Sequence, residues 1–207
     1  MTIDTEDLIN SILASIDRID FIKSEDIPDI ALYMDQVTTL MSEKLKATTR
    51  NPGEDKIMTK TMINNYAKSN LIPAPIKKKY TKEQMLLIII IYYFKNVMSI
   101  SDIDAVIRPL IDNYYGKDGD ITIEKIYETL RVNVEGLNSS VKDDVSETYK
   151  KALGIFSDVE GKDADALSLF SFITLLSMDV YIKRLLIEKL VDGYSESTKN
   201  MHDDKKD

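Results

Sequence analysis

Residues 58–80 hold most of the side chains whose type and spacing could do chemistry. On a helix that begins after Thr59, the inward face carries Ile63, Tyr66 and Ala67. The opposite face carries five polar residues: Lys60, Thr61, Asn64, Asn65 and Lys68. Ammonium groups bind phosphate oxygens, and carboxamides donate to phosphates or pair with the adenine edge in the major groove. This face therefore favours contact with double-stranded DNA.

The segment after this helix adds a second set of cations. Asn70 stands at the helix end, where a left-handed cap is often Gly or Asn. Pro73 and Pro75 hold the chain extended, and three consecutive lysines follow on a connecting loop. Together with the helix face, this segment predicts nine DNA-binding residues: Lys60, Thr61, Asn64, Asn65, Lys68, Lys77, Lys78, Lys79 and Tyr80.

Charge is distributed unevenly along the 207 residues, whose formal net charge is -8. Residues 1–55 carry a net charge of -7, residues 56–100 carry +7 and residues 101–207 carry -8. A solvated helix face usually mixes both signs, whereas residues 56–100 contain eight basic side chains and one acidic side chain. The basic segment therefore indicates an anionic partner.

The composition excludes most familiar catalytic and metal sites. The chain has no cysteine, and its one histidine, His202, lies among charges near the C-terminus. Thiolate metal sites, multi-histidine sites and a Ser-His-Asp triad are therefore excluded. Asp118 and Asp120 resemble half of a calcium loop, but Tyr127 stands where such a loop needs its bidentate Glu. We expect no catalytic residue, no metal and no cofactor, and an enzyme is the least favoured class of function.

The periodicity of apolar residues predicts an all-α protein with at most a two-stranded wing near residues 71–80. The expected helices cover about residues 6–21, 30–45, 59–69, 82–97, 122–133, 139–153 and 164–191, and one more runs from Ser99 or Ser101 to Pro109. Thr59 and Thr81 are expected N-caps, and Tyr33 is expected to face inward. The helix at 164–191 is apolar almost all round, which predicts that it is buried centrally.

A secretory signal and a membrane span are both unexpected here. The first twenty residues begin acidic, where a signal peptide would be basic. The longest apolar run, residues 85–94, has ten residues, half of the ~20 that span a bilayer. These features predict a soluble cytoplasmic protein with no membrane partner.

The order of these features resembles the winged helix-turn-helix of the MerR regulators. In that family a recognition helix leads to a proline-containing exit, a basic wing, a helix start and a link to the next helix. The corresponding stretches here are residues 62–66 (Met-Ile-Asn-Asn-Tyr), 70–73 (Asn-Leu-Ile-Pro), 80–85 (Tyr-Thr-Lys-Glu-Gln-Met) and 97–103 (Val-Met-Ser-Ile-Ser-Asp-Ile). The resemblance covers residues 33–107. It implies a recognition helix in the major groove, with the three lysines gripping the DNA backbone beside it.

Three motifs also resemble an uncharacterised bacterial family, domain of unknown function 1836. They are residues 29–39 (Asp-Ile-Ala-Leu-Tyr-Met-Asp-Gln-Val-Thr-Thr), 59–66 (Thr-Lys-Thr-Met-Ile-Asn-Asn-Tyr) and 77–80 (Lys-Lys-Lys-Tyr). This resemblance implies an all-helical protein of Gram-positive bacteria, and it supplies no activity.

We therefore expect four segments: an N-terminal helix (1–29), a MerR-like winged helix-turn-helix (30–111), a C-terminal helical dimerisation or regulatory region (112–193) and a disordered tail (194–207). The favoured function is a DNA-binding transcriptional regulator that acts as a homodimer on a palindromic site. The alternative is a protein–protein interaction module that keeps the helix-turn-helix shape without binding DNA. The acidic remainder of the chain favours this alternative, because it repels phosphates.

Overall fold

The computed structural model describes residues 5–16, 21–51 and 54–203. These residues are mostly helical and include a two-stranded sheet, which confirms the expected helical class. The helices are α1 (Thr5–Ile16), α2 (Met34–Leu45), α3 (Lys60–Lys68), α4 (Lys82–Phe94), α5 (Ile100–Tyr114), α6 (Ile123–Glu135), α7 (Leu137–Ile155) and α8 (Lys162–Asp203). The strands are β1 (Leu32–Tyr33) and β2 (Lys79–Tyr80), and short 3-10 helices lie at Ser24–Asp26 and Lys46–Thr48.

The chain divides into two compact units. The central unit comprises residues 21–131 and 187–207, and the flanking unit comprises residues 1–20 and 132–186. All nine predicted DNA-binding residues belong to the central unit.

Helix α4 is the centre of the core of the central unit. Eight of its thirteen residues are buried, because its apolar residues occupy every side of the helix rather than one stripe. Its neighbours contribute one buried face each: Val37, Met41 and Leu45 from α2, Ile63 and Tyr66 from α3, and Ile103, Ile107 and Ile111 from α5. This arrangement fixes α2 and α3 by their apolar faces and leaves their polar faces in solvent.

Side-chain caps set where the helices of the central unit begin. The Thr59 hydroxyl accepts from the backbone N–H of Met62, and Thr81 and Ser99 cap α4 and α5 in the same way. These observations confirm Thr59 and Thr81 as N-caps. Helix α5 does not end near Pro109 as predicted but continues to Tyr114, since its Ile103, Ile107 and Ile111 face packs against the core on both sides of the proline.

The sheet pairs two segments that are distant in sequence. Strand β1 runs antiparallel to β2, with Leu32 opposite Tyr80 and Tyr33 opposite Lys79. Helix α2 therefore begins at Met34 rather than near residue 30. Tyr33 is 53% exposed, so the prediction that it faces inward is wrong. The reason is that alternate residues of a strand point to opposite faces, and Leu32 takes the buried one.

Helix α8 departs most from expectation. Its apolar composition predicts central burial, yet only 11% of its most apolar 18-residue window is buried. Phe172 packs with Ile9 of α1 and Ala152 of α7, whereas Phe170 and Ile173 are exposed. The prediction is wrong because α1 and α7 cover one side of the helix.

The length and C-terminal end of α8 also differ from expectation. By length and composition alone, Asp163–Ser195 is long and apolar enough to cross a membrane. The polar composition after residue 193 predicts a disordered tail. The structure instead continues α8 to Asp203.

Candidate nucleic-acid interface

Helix α3 separates its apolar and polar side chains onto opposite faces. Ile63 and Tyr66 are buried in the core of the central unit. All five polar residues predicted to contact DNA are exposed: Lys60, Thr61, Asn64, Asn65 and Lys68. The helix itself contains no acidic residue, so its exposed surface carries ammonium, hydroxyl and carboxamide groups only.

The C-terminal end of α3 is closed by a Schellman motif. The N–H of Leu71 donates to the Tyr66 carbonyl at 2.8 Å, and the N–H of Asn70 donates to the Ala67 carbonyl at 3.2 Å. Asn70 has a φ of 62°, which confirms the left-handed cap predicted at this position. Tyr66 and Leu71 are both buried, so the motif has its usual apolar contact.

Arg108 of α5 contacts this same end of α3. Its guanidinium donates to the carbonyl oxygen of Asn70 and pairs with Asp104 one turn earlier. A charge-assisted donor thus satisfies a carbonyl of the left-handed residue. Sequence reasoning missed this contact, because residues 70 and 108 are linked only by the packing of α3 and α5.

Two lysines form the tip of a tight hairpin. Ile76 and Lys79 exchange both backbone hydrogen bonds at 3.0 Å, and the two residues between them, Lys77 and Lys78, have φ values of 51° and 65°. Positive φ at both central residues is the pattern of a type I′ turn, which normally takes Asn-Gly. A left-handed conformation costs a residue with a Cβ about 1–2 kcal/mol. We call this tip the lysine turn.

The lysine turn points its cations into solvent. Both side chains are exposed, and neither makes an ion pair with a residue that the structure describes. Non-glycine residues in strained backbone regions cluster at functional sites. The strain and the two unpaired ammonium groups occur at the same two residues, which makes this turn a candidate site for an anionic ligand.

Gln84, a buried side chain of α4, holds the segment that leads into the hairpin. Its amide nitrogen donates to the carbonyls of Pro73 and Ala74 at 2.8 and 3.1 Å, and its oxygen accepts from the N–H of Thr81 at 2.8 Å. Gln84 has no exposed surface. Sequence reasoning missed it, although the Thr-x-x-Gln spacing of a capping box was present.

Lys79 and Tyr80, which form β2, differ in the exposure of their side chains. The Lys79 ammonium lies 4.8 Å from the ring centroid of Tyr33 on the neighbouring strand, which is a cation–π contact. Tyr80 is 1% exposed, and burial raises the pKa of its phenol. Its predicted role in DNA binding is therefore wrong, because its side chain lies on the core side of β2.

Internal contacts occupy part of the basic segment. Lys60 pairs with Asp35 of α2, and Lys82 pairs with Asp29 and Glu124 at 2.8 Å each. The ammonium of Lys95 donates to the Ile57 carbonyl at 2.9 Å, and burial lowers the pKa of Lys95. Of the other cations in residues 56–100, Lys56, Lys68, Lys77, Lys78 and Lys79 pair with no carboxylate that the structure describes, so the surface excess of positive charge is smaller than the sequence count.

Helix α2 adds acidic groups next to this surface. Asp35, Gln36, Thr39, Leu40 and Glu43 line an open depression on its exposed side. Within the described ranges, no three His, Cys, Asp or Glu side chains are grouped so that they could hold a metal ion. The depression offers carboxylates and a small apolar surface.

Comparison with known proteins identifies a family and supplies no activity. Residues 22–130, slightly more than half of the chain, match the family described as Domain of unknown function (DUF1836). No curated protein and no solved structure shows significant similarity to the chain. The matched residues nearly coincide with the continuous segment 21–131 of the central unit, which contains α3, the lysine turn and the residues that support them. The chain belongs to the DUF1836 family.

Proposed function

We propose that the protein is a sequence-specific DNA-binding transcriptional regulator, in which α2 and α3 act as a MerR-like helix-turn-helix and the lysine turn acts as its wing. The lysine turn is the observation that carries this proposal. Two adjacent lysines are held in left-handed conformations at an exposed hairpin tip, and nothing in the core requires their side chains there. An anionic backbone such as that of DNA accounts for both their charge and their placement.

Helix α3 supplies the groups for base recognition. In the major groove, Asn64 and Asn65 can pair with adenine edges. Lys60 and Lys68 can bind phosphates, and the Thr61 hydroxyl can bond a base or a phosphate. The apolar side of α3 is fixed in the core by Ile63 and Tyr66, so its polar face is presented on a rigid element. Rigid presentation is what positions side chains for base readout.

The arrangement around α3 supports the resemblance to MerR regulators in one respect and departs from it in another. Strand β1 precedes α2 and pairs with β2, which joins the wing to the start of the helix pair. The connection between α2 and α3 runs from Lys46 to Thr59, far longer than the 3–4-residue turn that usually joins such helices. A homodimer on a palindromic site would double the small basic surface of one chain, as expected for a cytoplasmic regulator of this type.

A second candidate is a protein-interaction module that keeps this shape. The Lys60–Asp35 pair favours it, because the pair neutralises one of the cations on the polar face of α3. The carboxylates of Asp35 and Glu43 on α2 favour it too, since they would lie near phosphates if α3 entered a groove. A partner of this surface would carry basic side chains.

An electrophoretic mobility experiment tests the proposal directly. The full-length protein is titrated against a pool of random duplex DNA at 50 mM and 200 mM salt. We expect retardation at the lower salt and a large loss of affinity at the higher salt, as counterion release requires. Absence of retardation at 50 mM salt would refute DNA binding and favour the interaction module.

A further inference from the structure

The exposed helix α8 carries a heptad repeat. From residue 166 to residue 194, positions separated alternately by three and four residues are apolar with one exception. They are Ala166, Leu169, Ile173, Leu176, Val180, Lys183, Ile187, Leu190 and Tyr194. A hydrophobic repeat of 3.5 residues over four heptads is typical of a left-handed coiled coil. We call these nine positions the α8 seam.

The seam is largely uncovered in the single chain. Ile173, Val180 and Leu190 are 54%, 63% and 71% exposed, while Leu169, Leu176 and Ile187 are half-buried. The chain covers the flank beside the seam, where Phe172 packs with Ile9 and Ala152, and one seam residue, Leu176, packs against the same cluster. Exposed apolar residues also lie outside the seam, among them Phe170, Tyr181 and Leu186. An exposed apolar surface of this extent indicates a binding partner.

The residue types of the seam specify that partner as a second copy. Three of the five a positions hold β-branched residues (Ile173, Val180 and Ile187), and three of the four d positions hold Leu (Leu169, Leu176 and Leu190). The remaining a positions are Ala166 and Tyr194, and the remaining d position is Lys183. β-branched residues at a with Leu at d favour a parallel two-stranded coiled coil. In that arrangement each residue of the seam meets the same residue of the other chain.

Charge is complementary in the same register. In a parallel pair, the g position of one chain lies beside the next e position of the other. Asp179 occupies g and Arg184 occupies e, so the two chains present opposite charges to each other twice. Lys183, the one cation in the seam, pairs with Asp179 at 2.7 Å, which directs its ammonium toward the flank.

A bilayer fits this helix less well than a second copy does. The uncharged stretch from residue 166 to residue 178 is about 20 Å long as a helix, shorter than the ~30 Å hydrocarbon core. Charged residues then follow within every turn or two: Asp179, Lys183, Arg184, Glu188 and Lys189. These side chains would be costly inside a membrane but remain in water at the edges of a coiled coil.

We infer that α8 forms a parallel, in-register, two-stranded coiled coil with α8 of a second copy through the α8 seam. The inference rests on the homodimer in the proposed function and is independent of whether that homodimer binds DNA. It identifies the residues of the interface and the direction of the pairing.

Disulfide trapping tests the direction, because the natural chain has no cysteine. A disulfide requires Cα atoms within about 7 Å, which in-register seam positions satisfy. We expect Ile173→Cys and Leu190→Cys each to give a covalent homodimer under mild oxidation. Met178→Cys, at an f position and 49% exposed, is the matched control and should remain monomeric on a non-reducing gel. Failure of both seam variants to form covalent dimers would overturn the parallel register.

Sedimentation of seam variants tests the interface itself. We expect the wild-type full chain to sediment as a dimer at micromolar concentration without DNA. Val180→Asp should give a monomer, whereas Ile182→Asp, which lies outside the seam and is 54% exposed against 63% for Val180, should give a dimer. Circular dichroism checks that both variants stay helical. A monomeric wild-type chain, or equal behaviour of the two variants, would contradict the inference.

Two further measurements separate this inference from its alternatives. Flotation with vesicles of phosphatidylethanolamine and phosphatidylglycerol should leave the wild-type chain in the soluble fraction, and recovery with the vesicles would show that a bilayer covers α8. A dimer that fails to retard DNA would refute the regulator and leave the coiled coil intact. A monomer that retards DNA would refute the coiled coil and leave DNA binding intact.

Discussion

The side-chain amide of Gln84 donates a 2.8 Å hydrogen bond to the carbonyl of Pro73, from the first turn of α4 to the segment that leads into the lysine turn. The same amide bonds the Ala74 carbonyl, and its oxygen caps α4 at the Thr81 N–H. Proline provides no N–H for a regular ladder, so this segment depends on a side chain for its polar contacts. One buried glutamine therefore fixes both the start of α4 and the base of the hairpin.

Replacing Gln84 by Ala should destabilise the protein by about 2–4 kcal/mol. The change leaves the part-buried carbonyls of Pro73 and Ala74 without their side-chain donor and creates a small cavity, each of which costs about 1–3 kcal/mol. Urea unfolding monitored by circular dichroism measures the change in the free energy of unfolding. Gln36→Ala is the matched control, because Gln36 caps α2 at the Tyr33 N–H but is exposed, and we expect it to cost about 1 kcal/mol or less. Equal losses would mean that the Pro73 and Ala74 contacts contribute little.

The carboxylate of Glu128 should make stability depend on pH. Hydrogen bonding from Arg131, with a weaker contribution from the Ser24 N–H, lowers the pKa of Glu128. A carboxyl group whose pKa is lower in the folded state contributes stability above its ordinary pKa of about 4.5 and loses it as pH falls through the folded value.

Glu128→Gln should therefore lower the free energy of unfolding by about 1–2 kcal/mol at pH 7, after allowance for solvent screening. Below the folded pKa of Glu128, the variant and the wild type should converge. Urea titrations between pH 7 and pH 3 test this. Glu83→Gln is the control, because its carboxylate bonds the Gly116 N–H on an exposed surface. A difference that persists unchanged at pH 3 would contradict the assignment.

Local patterns predicted much of the central unit. The caps at Thr59 and Thr81, the left-handed residue Asn70 and the two faces of α3 depend on residues within one or two turns of each other. Such contacts can be predicted from the sequence because helix periodicity and capping chemistry are local. The burial of Tyr80 could not be predicted in this way, because it follows from pairing with Leu32, 48 positions earlier.

Helices α4 and α8 show where pattern alone fails. Both are apolar on nearly every side, and the same rule predicts burial for both. Helix α4 is buried because α2, α3 and α5 surround it, whereas α8 extends from Lys162 to Asp203 and only 11% of its most apolar window is buried. Burial depends on how much surface the rest of the chain supplies, which periodicity does not report. The left-handed lysines were missed for a related reason, because residue type alone favours Gly or Asn at such positions.

Glycine at the lysine turn should separate backbone strain from charge. Lys78→Gly removes the left-handed penalty and should raise the free energy of unfolding by about 0.5–1 kcal/mol, after the entropy of glycine in the unfolded chain is subtracted. Lys78→Ala keeps the penalty, so its stability should stay within about 0.5 kcal/mol of the wild type. Chemical denaturation measures both.

Lys78→Gly and Lys78→Ala should change the affinity for DNA by the same amount. Each removes one ammonium group, so each should reduce the slope of log affinity against log salt by about 0.9. Lys56→Ala, which removes an exposed lysine outside the proposed interface, should leave the slope unchanged. If the two Lys78 variants keep the wild-type slope, the lysine turn does not neutralise a phosphate.

Asn64 and Asn65 should carry the choice of base. A carboxamide paired with an adenine edge is worth about 1–3 kcal/mol of discrimination. Asn64→Ala or Asn65→Ala should therefore narrow the difference in affinity between preferred and random duplexes, with little change in Tm because both side chains are exposed. Lys68→Ala should lower the affinity for preferred and random duplexes in the same proportion. Fluorescence anisotropy measures the two affinities, and a proportional loss in the asparagine variants would make them phosphate contacts instead.

Asp35→Asn should distinguish DNA binding from the protein-interaction alternative. The change removes a carboxylate from α2 and releases Lys60, the cation that it pairs with on α3. The pair is exposed, so its loss should change stability by less than about 1 kcal/mol. If α3 enters a groove of DNA, the variant should bind random duplex several-fold more tightly at low salt, and the gain should shrink as salt rises. Glu147→Gln, which breaks an exposed pair with Lys151 on α7 outside the proposed interface, controls for the loss of one negative charge. Equal affinities for the wild type and the Asp35 variant would mean that Lys60 does not meet phosphate, and the acidic side of α2 would then be the surface on which to look for a basic protein partner.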